Sequence, residues 1–316
     1  MTYLHYIWYG PVPADPSKYA TANNMALACP EQRVLFWCKR EYLDGFRAVL
    51  DPRIQVLPCD ELDALAGQAL GGDMPRWYAE ALQVLGALNQ ARAWSACKDL
   101  VSLLVLYSYG GYYMDTTTLI IPSVKGPALN AGFEATYDSP RVPRLGDDTV
   151  RHQPFLQTGV AIVTGGDFRA GDDGMLNVPL IDVWAFYSPS HDECTSWMIM
   201  SYVSRCNRLG INDNGTPSNF DAISGLQELN DVGRDTLIGQ LIIRSVYDGL
   251  IEQAYRELGE QGNNNPDDEA VGQQVTAYTW PTIKLPSNAP ANWELPALNI
   301  DKRYANSWRN QGNQQQ

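Results

Sequence analysis

The stretch LVLYSYGGYYMDTTTLIIP (Leu104–Pro122) decides how the chain is read. An apolar run that fits a helix stops at Gly110-Gly111, the usual chemistry of a helix end. A short aromatic strand follows and delivers Asp115 into Thr116, Thr117 and Thr118. Upstream, Ala93, Ala96, Cys97, Leu100, Val101, Leu103, Leu104 and Tyr107 give the run from Ala91 to Tyr109 a broad apolar face, which predicts a buried helix. In a parallel α/β sheet, ligands sit beyond the carboxyl ends of the strands. A carboxylate and hydroxyls placed there suit a hard cation or a ribose hydroxyl. An aspartate that merely caps a turn after an edge strand has the same local signature.

Working outward, the first half alternates strand and helix patterns. YLHYIWYG (Tyr3–Gly10), RVLFWCK (Arg33–Lys39) and RIQVLPCD (Arg53–Asp60) read as strands. DPSKYATANNMALAC (Asp15–Cys29) and EYLDGFRAVL (Glu41–Leu50) read as helices, the first with Asp15 as N-cap and Pro16 at the first helical position. This order predicts parallel strands with helices on the sheet faces. A helical subregion fills about 60–110, broken near Gly71-Gly72 and Pro75. In the second half, residues 158–166 and 180–189 are strand-like, and residues 192–210 and 235–258 are helical. GEQGNNNPDDEAVGQQ (Gly259–Gln274) reads as a polar loop. The end, from Thr279 on, is irregular, but Trp280, Trp293 and Trp308 make it too aromatic for a free tail. A closing segment at about 279–310 is expected to fold back over a single domain spanning 1–316.

Composition narrows the function. With 45% hydrophobic and 19% charged residues the chain is globular. A net charge of -13 argues against a basic nucleic-acid footprint. Six scattered cysteines form no C-x-x-C pair and read as buried reduced thiols. The opening MTYLHYIWYG has no basic start, and no apolar run reaches membrane-spanning length, so the expectation is a cytoplasmic protein or one exported without a classical signal peptide.

The central segment, ACKDLVSLLVLYSYGGYYMDTTTL, resembles the glycosyltransferases of GT-A fold with a sugar-binding DxD segment. Among these are the large clostridial glucosylating toxins and the bacterial effectors that attach GlcNAc to arginine. Their pattern is approximately A-x-S-D-x-x-R, an apolar helix, then Y-G-G-I-Y-x-D-x-D. Asp99 matches the helix Asp, Gly110 and Gly111 the glycines, Tyr113 the strand Tyr, and Asp115 the first Asp of DxD. The opening LHYIWYG is similar to the family's I-H-F-I-W-x-G strand, and the terminal YANSWRN to its closing Ser-Trp segment.

The resemblance implies a GT-A-type, Rossmann-like mixed sheet flanked by helices, with the C-terminal segment folded over a donor site. It implies transfer of a hexosyl or N-acetylhexosaminyl group from a UDP-sugar to a protein, saccharide or small-molecule acceptor, with retention. The donor contacts implied are Tyr6, Ile7, Trp8 (stacked on the base), Asp99, Tyr113, Asp115, Asn306, Ser307 and Trp308. Asp115, Thr117 and Ser307 are the implied ligands of Mn²⁺ or Mg²⁺. Asp99, Asp115 and His191 are the implied catalytic groups, His191 because a Pro-Gly-His-Pro-type turn occupies the corresponding place in family members. Helix capping at Ser190 or Asp192 explains the same SHDE stretch.

Three departures stand out. Thr117 replaces the second Asp of DxD, Ser102 replaces the family Arg, and Lys98 replaces the Ser before the helix Asp. With Arg missing, Arg92, Arg303 and Arg309 are the candidate phosphate partners. Lys98, about 100° around the helix from Asp99, is expected to point elsewhere. The departures also fit a catalytically inactive nucleotide-sugar or glycan-binding member of the same fold. The third possibility is an unrelated α/β hydrolase or binding domain.

Overall fold

The computed structural model describes residues 3–28, 32–72, 74–90, 92–116, 118–120, 161–164, 181–208, 231–277, 292–295 and 300–303. Strands β1 (Tyr3–Trp8), β2 (Arg33–Cys38), β3 (Gln55–Pro58) and β4 (Gly111–Met114) lie parallel, with β1 central between β2 and β4. Between them run α1 (Ala20–Ala28), α2 (Leu43–Val49), α3 (Leu62–Ala69), α4 (Arg76–Gln90) and α5 (Trp94–Tyr109). Four strands of the sequence reading thus form one parallel unit with helical crossovers. Strand β1 is buried on both faces, Leu4 and Tyr6 on one and His5 and Ile7 on the other, as a central parallel strand must be.

The fifth strand, β5 (Thr118–Ile120), leaves the main sheet. Strands β6 (Ala161–Thr164) and β7 (Ile181–Ser188) complete it instead, β7 running antiparallel to β4 with Gly111 opposite Ser188 and Met114 opposite Ala185. The product is a mixed, helix-flanked α/β sheet, as the resemblance implied.

Helix α5 is the spine of the core. Its residues Ala96, Cys97, Leu100, Val101, Leu103, Leu104, Val105 and Leu106 are all buried. They pack among α3, α4, α6 (Glu193–Arg208) and α7 (Asp231–Glu260) as well as β1. Gly110 and Gly111 end the helix at φ 67° and 103°, a region that side chains rarely adopt. The space is closed too: a Cβ on Gly110 would come within 2.5 Å of the Ser190 nitrogen, and one on Gly111 would overlap the Tyr3 carbonyl. The double glycine is therefore both a helix stop and the point where β4 is pressed against β1.

Two sequence expectations need correction. The polar tract Gly259–Gln274 is not all loop, because helix α8 (Asp268–Ala277) begins inside it. Asp267 accepts a hydrogen bond from the Ala270 N–H at 2.8 Å and caps the helix, and Val271 and Val275, one turn apart, are fully buried. Two apolar residues at helical spacing suffice when tertiary packing supplies the rest. Nor is the end of the chain wholly irregular. Strands β8 (Asn292–Leu295) and β9 (Ile300–Arg303) form a second sheet with β5, in which Lys302 faces Thr118 and Ile300 faces Ile120. The terminal chain thereby meets the segment directly after Asp115.

No described helix is long and apolar enough to cross a membrane. Cys38, Cys59, Cys97, Cys194 and Cys206 are buried thiols without disulfides. Burial pushes the Cys38 and Cys206 thiols up to about 12, which keeps them protonated and unreactive.

Candidate functional site

Parallel pairing sets the site. Because His5 faces Tyr113 and Trp8 faces Cys38, strands β1, β2 and β4 end along one edge. Trp8 closes β1 and Asp115 follows β4. Trp8 is half-buried, unlike the fully buried Trp37 one strand away. Its indole N–H donates to the Pro11 carbonyl at 3.0 Å, which fixes the ring beside Gly10. Tyr6 and Ile7 are side chains of the interior instead, and the Tyr6 hydroxyl lies 3.8 Å from the Met114 sulfur.

Helix α5 begins at this same edge and carries Lys98 and Asp99. The Lys98 ammonium lies 3.0 Å from Asp115 Oδ1 and 3.6 Å from Asp99 Oδ1. The Tyr113 hydroxyl donates to the same Asp115 oxygen at 2.6 Å. The helix geometry expected to turn Lys98 away is overruled by its four-carbon stem, which reaches across the step that separates it from Asp99. Burial pushes the Asp99 carboxyl up to about 6, with Lys98 pulling it down and Asp115 adding to the rise. Burial also works against the Lys98 charge, but Asp115, then Tyr113 and Asp99, hold its ammonium well above the usual lysine value. Tyr113 is raised well above its ordinary value, by burial first and by Asp115 second. The cluster is a lysine clamped between two carboxylates and a phenol, with 30% of its side chain exposed.

Other charge approaches the same edge. Lys39, just past the end of β2, places its ammonium 5.2 Å from the Trp94 ring centroid at the start of α5. Lys39 and Lys98 were the residues the sequence reading missed or turned away. The only local signal was a long basic side chain next to an aspartate on an otherwise apolar helix. Of the arginine candidates, Arg92 sits in the exposed turn before α5 with φ 56°, and Arg303 ends β9. Arg309 lies outside the described residues, as do Thr117, Asn306, Ser307 and Trp308.

His191 does not join this cluster. Strand β7 runs antiparallel, so its end at Ser188 lies beside Gly111, the beginning of β4. His191 follows there, its backbone N–H donating to the Tyr107 carbonyl at 2.7 Å and its ring 5.7 Å from the Tyr107 ring. The strand from Gly111 to Asp115 alone spans about 13 Å at the usual rise per residue. His191 and Asp115 therefore lie at opposite ends of β4. Its neighbour Asp192 caps α6 by accepting from the Thr195 N–H at 3.0 Å.

The described donor set does not suit a divalent cation. Among the described residues no three His, Cys, Asp or Glu side chains come together to hold a metal. Asp115 already meets an ammonium, and the residue two places on is a threonine. Hard cations favour several oxygens and carboxylate charge. The surface concavity of about 490 Å³ lined by Trp77, Glu80, Met200, Val203, Ser204 and Asn207 shares no residue with the Asp99–Asp115 cluster.

No family model matches the chain, and no curated protein matches it. Among solved structures, the chain is similar to the PaToxG glycosyltransferase, at 12% identity and a TM-score of 0.42, over 88% of this chain and 87% of that one. It is also similar to the UDP-bound glycosyltransferase domain of the YGT toxin, at 10% identity and a TM-score of 0.42, over 82% of this chain and 78% of that one. The catalytic domain of alpha-toxin from Clostridium novyi aligns at 12% identity and a TM-score of 0.31, over 88% of this chain and 67% of that one.

Proposed function

We propose that the chain is a glycosyltransferase that moves a hexosyl or N-acetylhexosaminyl group from a UDP-sugar to an acceptor, with retention at the anomeric carbon. The observation that carries this reading is the meeting of Asp99 and Asp115, from a helix and a strand end, at the edge where the parallel strands terminate and Trp8 presents a half-buried indole. In this reading the base stacks on Trp8. The sugar hydroxyls face Asp99, whose carboxylate accepts their hydrogen bonds. Asp115 faces the ribose or diphosphate. The segment at about 279–310, with Asn306, Ser307 and Trp308, closes over the diphosphate and keeps water from the reacting carbon.

If a divalent cation binds, Asp115, Thr117 and Ser307 are the residues to hold it, and it would neutralise phosphate charge. The test is release of UDP from UDP-glucose and UDP-N-acetylglucosamine, with and without lysate proteins and saccharides as acceptors. Asp115→Asn keeps the shape of the side chain and removes its charge, and it is expected to lower UDP release by about 100-fold, the scale of one lost electrostatic contact in a transition state. Unchanged release would reject the site.

One observation favours a second reading, a nucleotide-sugar binder without turnover: Lys98 already neutralises Asp115. Tight UDP-sugar binding with no UDP release in the presence of every acceptor pool would select it.

A further inference from the structure

We propose that Lys98 is the resident cation of the donor site, and that a nucleoside diphosphate binds through its ammonium with no divalent metal. The proposal rests on the donor-site reading above.

The place between two carboxylates that converge from different elements is where a bound cation belongs, and Lys98 Nζ occupies it, 3.0 Å from Asp115 and 3.6 Å from Asp99. The two partners are not equivalent. Asp115 Oδ1 receives both the ammonium and the Tyr113 hydroxyl, at 3.0 and 2.6 Å, so this oxygen is committed to protein donors. Asp99 is a looser contact. An ammonium has three N–H donors and no acceptor. One is donated to Asp115 at 3.0 Å, while Asp99 at 3.6 Å is an ion-pair contact, and the side chain keeps 30% of its surface exposed. An anionic oxygen arriving from solvent at this edge would complete the shell.

A dication beside Asp115 would instead meet the ammonium at like-charge distance, with a neutral hydroxyl at position 117 to offset it.

The experiment is calorimetric titration of the full chain with UDP, in EDTA and in millimolar Mn²⁺, for the wild type, Lys98→Met and the double variant Lys98→Ser/Thr117→Asp. Melting curves of each protein without ligand establish that it is folded. The wild type is expected to bind UDP in EDTA with an affinity that Mn²⁺ changes by less than about threefold. Lys98→Met is expected to weaken binding in EDTA by about tenfold or more, the loss of a charged hydrogen bond. The double variant is expected to gain about tenfold or more from Mn²⁺.

Wild-type binding that requires Mn²⁺ overturns the proposal and leaves the donor site standing. So does a folded Lys98→Met protein that binds UDP in EDTA as tightly as the wild type. The wild-type comparison needs no variant and decides the question even if Lys98→Met does not fold. UDP binding in neither condition overturns the donor-site reading and this proposal together.

Discussion

The two edges of the main sheet use polar residues in opposite ways. At the edge where β4 begins, each polar group described above serves the fold. His5 is fully buried, yet both ring nitrogens are used: Nε2 lies 2.9 Å from the Gly110 carbonyl and Nδ1 accepts from the Trp37 indole at 3.1 Å. Those two contacts select the neutral tautomer with the proton on Nε2. Asp192 caps a helix, and the His191 backbone N–H closes onto Tyr107. At the edge where the parallel strands end, Lys98, Asp99 and Asp115 are gathered, and desolvation opposes the charges of Lys98 and Asp99. Buried charge of this kind is a costly way to hold a fold together, and the proposed donor site gives it a ligand to meet. The comparison makes a sharp demand. Substitutions at the first edge should change stability and leave nucleotide affinity alone, and substitutions at the second should do the reverse.

The largest effect is expected at Gly111. Its φ of 103° and the Tyr3 carbonyl leave no room for a methyl group. Gly111→Ala should cost about 3 kcal/mol or more, since backbone strain and overlap add, and chemical denaturation should show it as an earlier midpoint or an insoluble protein. A stable, native-like variant would mean that the junction of α5 and β4 is looser than the fold implies.

His5 gives the next effect, visible in pH. Burial lowers its pKa from 6.5 to about 4, against the upward pull of the Gly110 carbonyl. The folded state therefore binds fewer protons than the unfolded chain between pH 4 and 6.5. The stability His5 contributes is complete above about pH 6.5 and is lost as pH falls towards 4, by about 3 kcal/mol for a shift of this size. Asp99 and Asp192, with raised values, favour the folded state as pH falls and mask part of this trend. The clean measurement is a difference. The stability gap between wild type and His5→Gln should shrink by about 3 kcal/mol from pH 7 to pH 4. A gap independent of pH would show that His5 is charged or solvated in the fold.

Trp8 tests the other edge. Trp8→Ala should weaken UDP binding by about 1–3 kcal/mol, the scale of base stacking on an aromatic ring, with a smaller change in melting temperature. If the loss appears in stability and the folded protein keeps its UDP affinity, Trp8 belongs with the core residues and the division between the edges fails there.

How much of this was legible in sequence follows from range. The parallel unit was readable because strand and helix periodicities alternate within short windows, and Gly110-Gly111 announced their junction. Asp99 and Asp115 were readable as a pair only through the resemblance, since 16 residues of sequence separate them and local pattern carries no distance. Lys98 was misread because a helical wheel fixes where Cβ points and says little about the end of a four-carbon stem. Helix α8 was missed because its apolar face is two valines. The separation of His191 from Asp115 was not legible, because sequence neighbours reveal neither that β7 runs antiparallel nor at which edge it ends.

The position of His191 defines the smallest expected effect and the hardest test of the comparison. His191 holds φ at 60°, a strained value for a side-chain-bearing residue, and its backbone N–H to Tyr107 survives any substitution except proline. The ring is exposed and meets only the Tyr107 ring among the contacts described for it. His191→Ala should therefore change stability by less than about 1 kcal/mol, as surface changes away from caps and cores do. His191→Gly should match or exceed the wild type, because the left-handed backbone is relaxed in glycine, although its unfolded chain is more flexible. Neither should move UDP affinity or UDP release by more than about twofold, since a change of this size lies well under 1 kcal/mol. Both are read in one set of denaturation curves and UDP-release assays. Loss of release in a stable His191→Ala protein would place catalytic chemistry at the edge assigned to structure, and the distinction between the two edges would have to be redrawn around it.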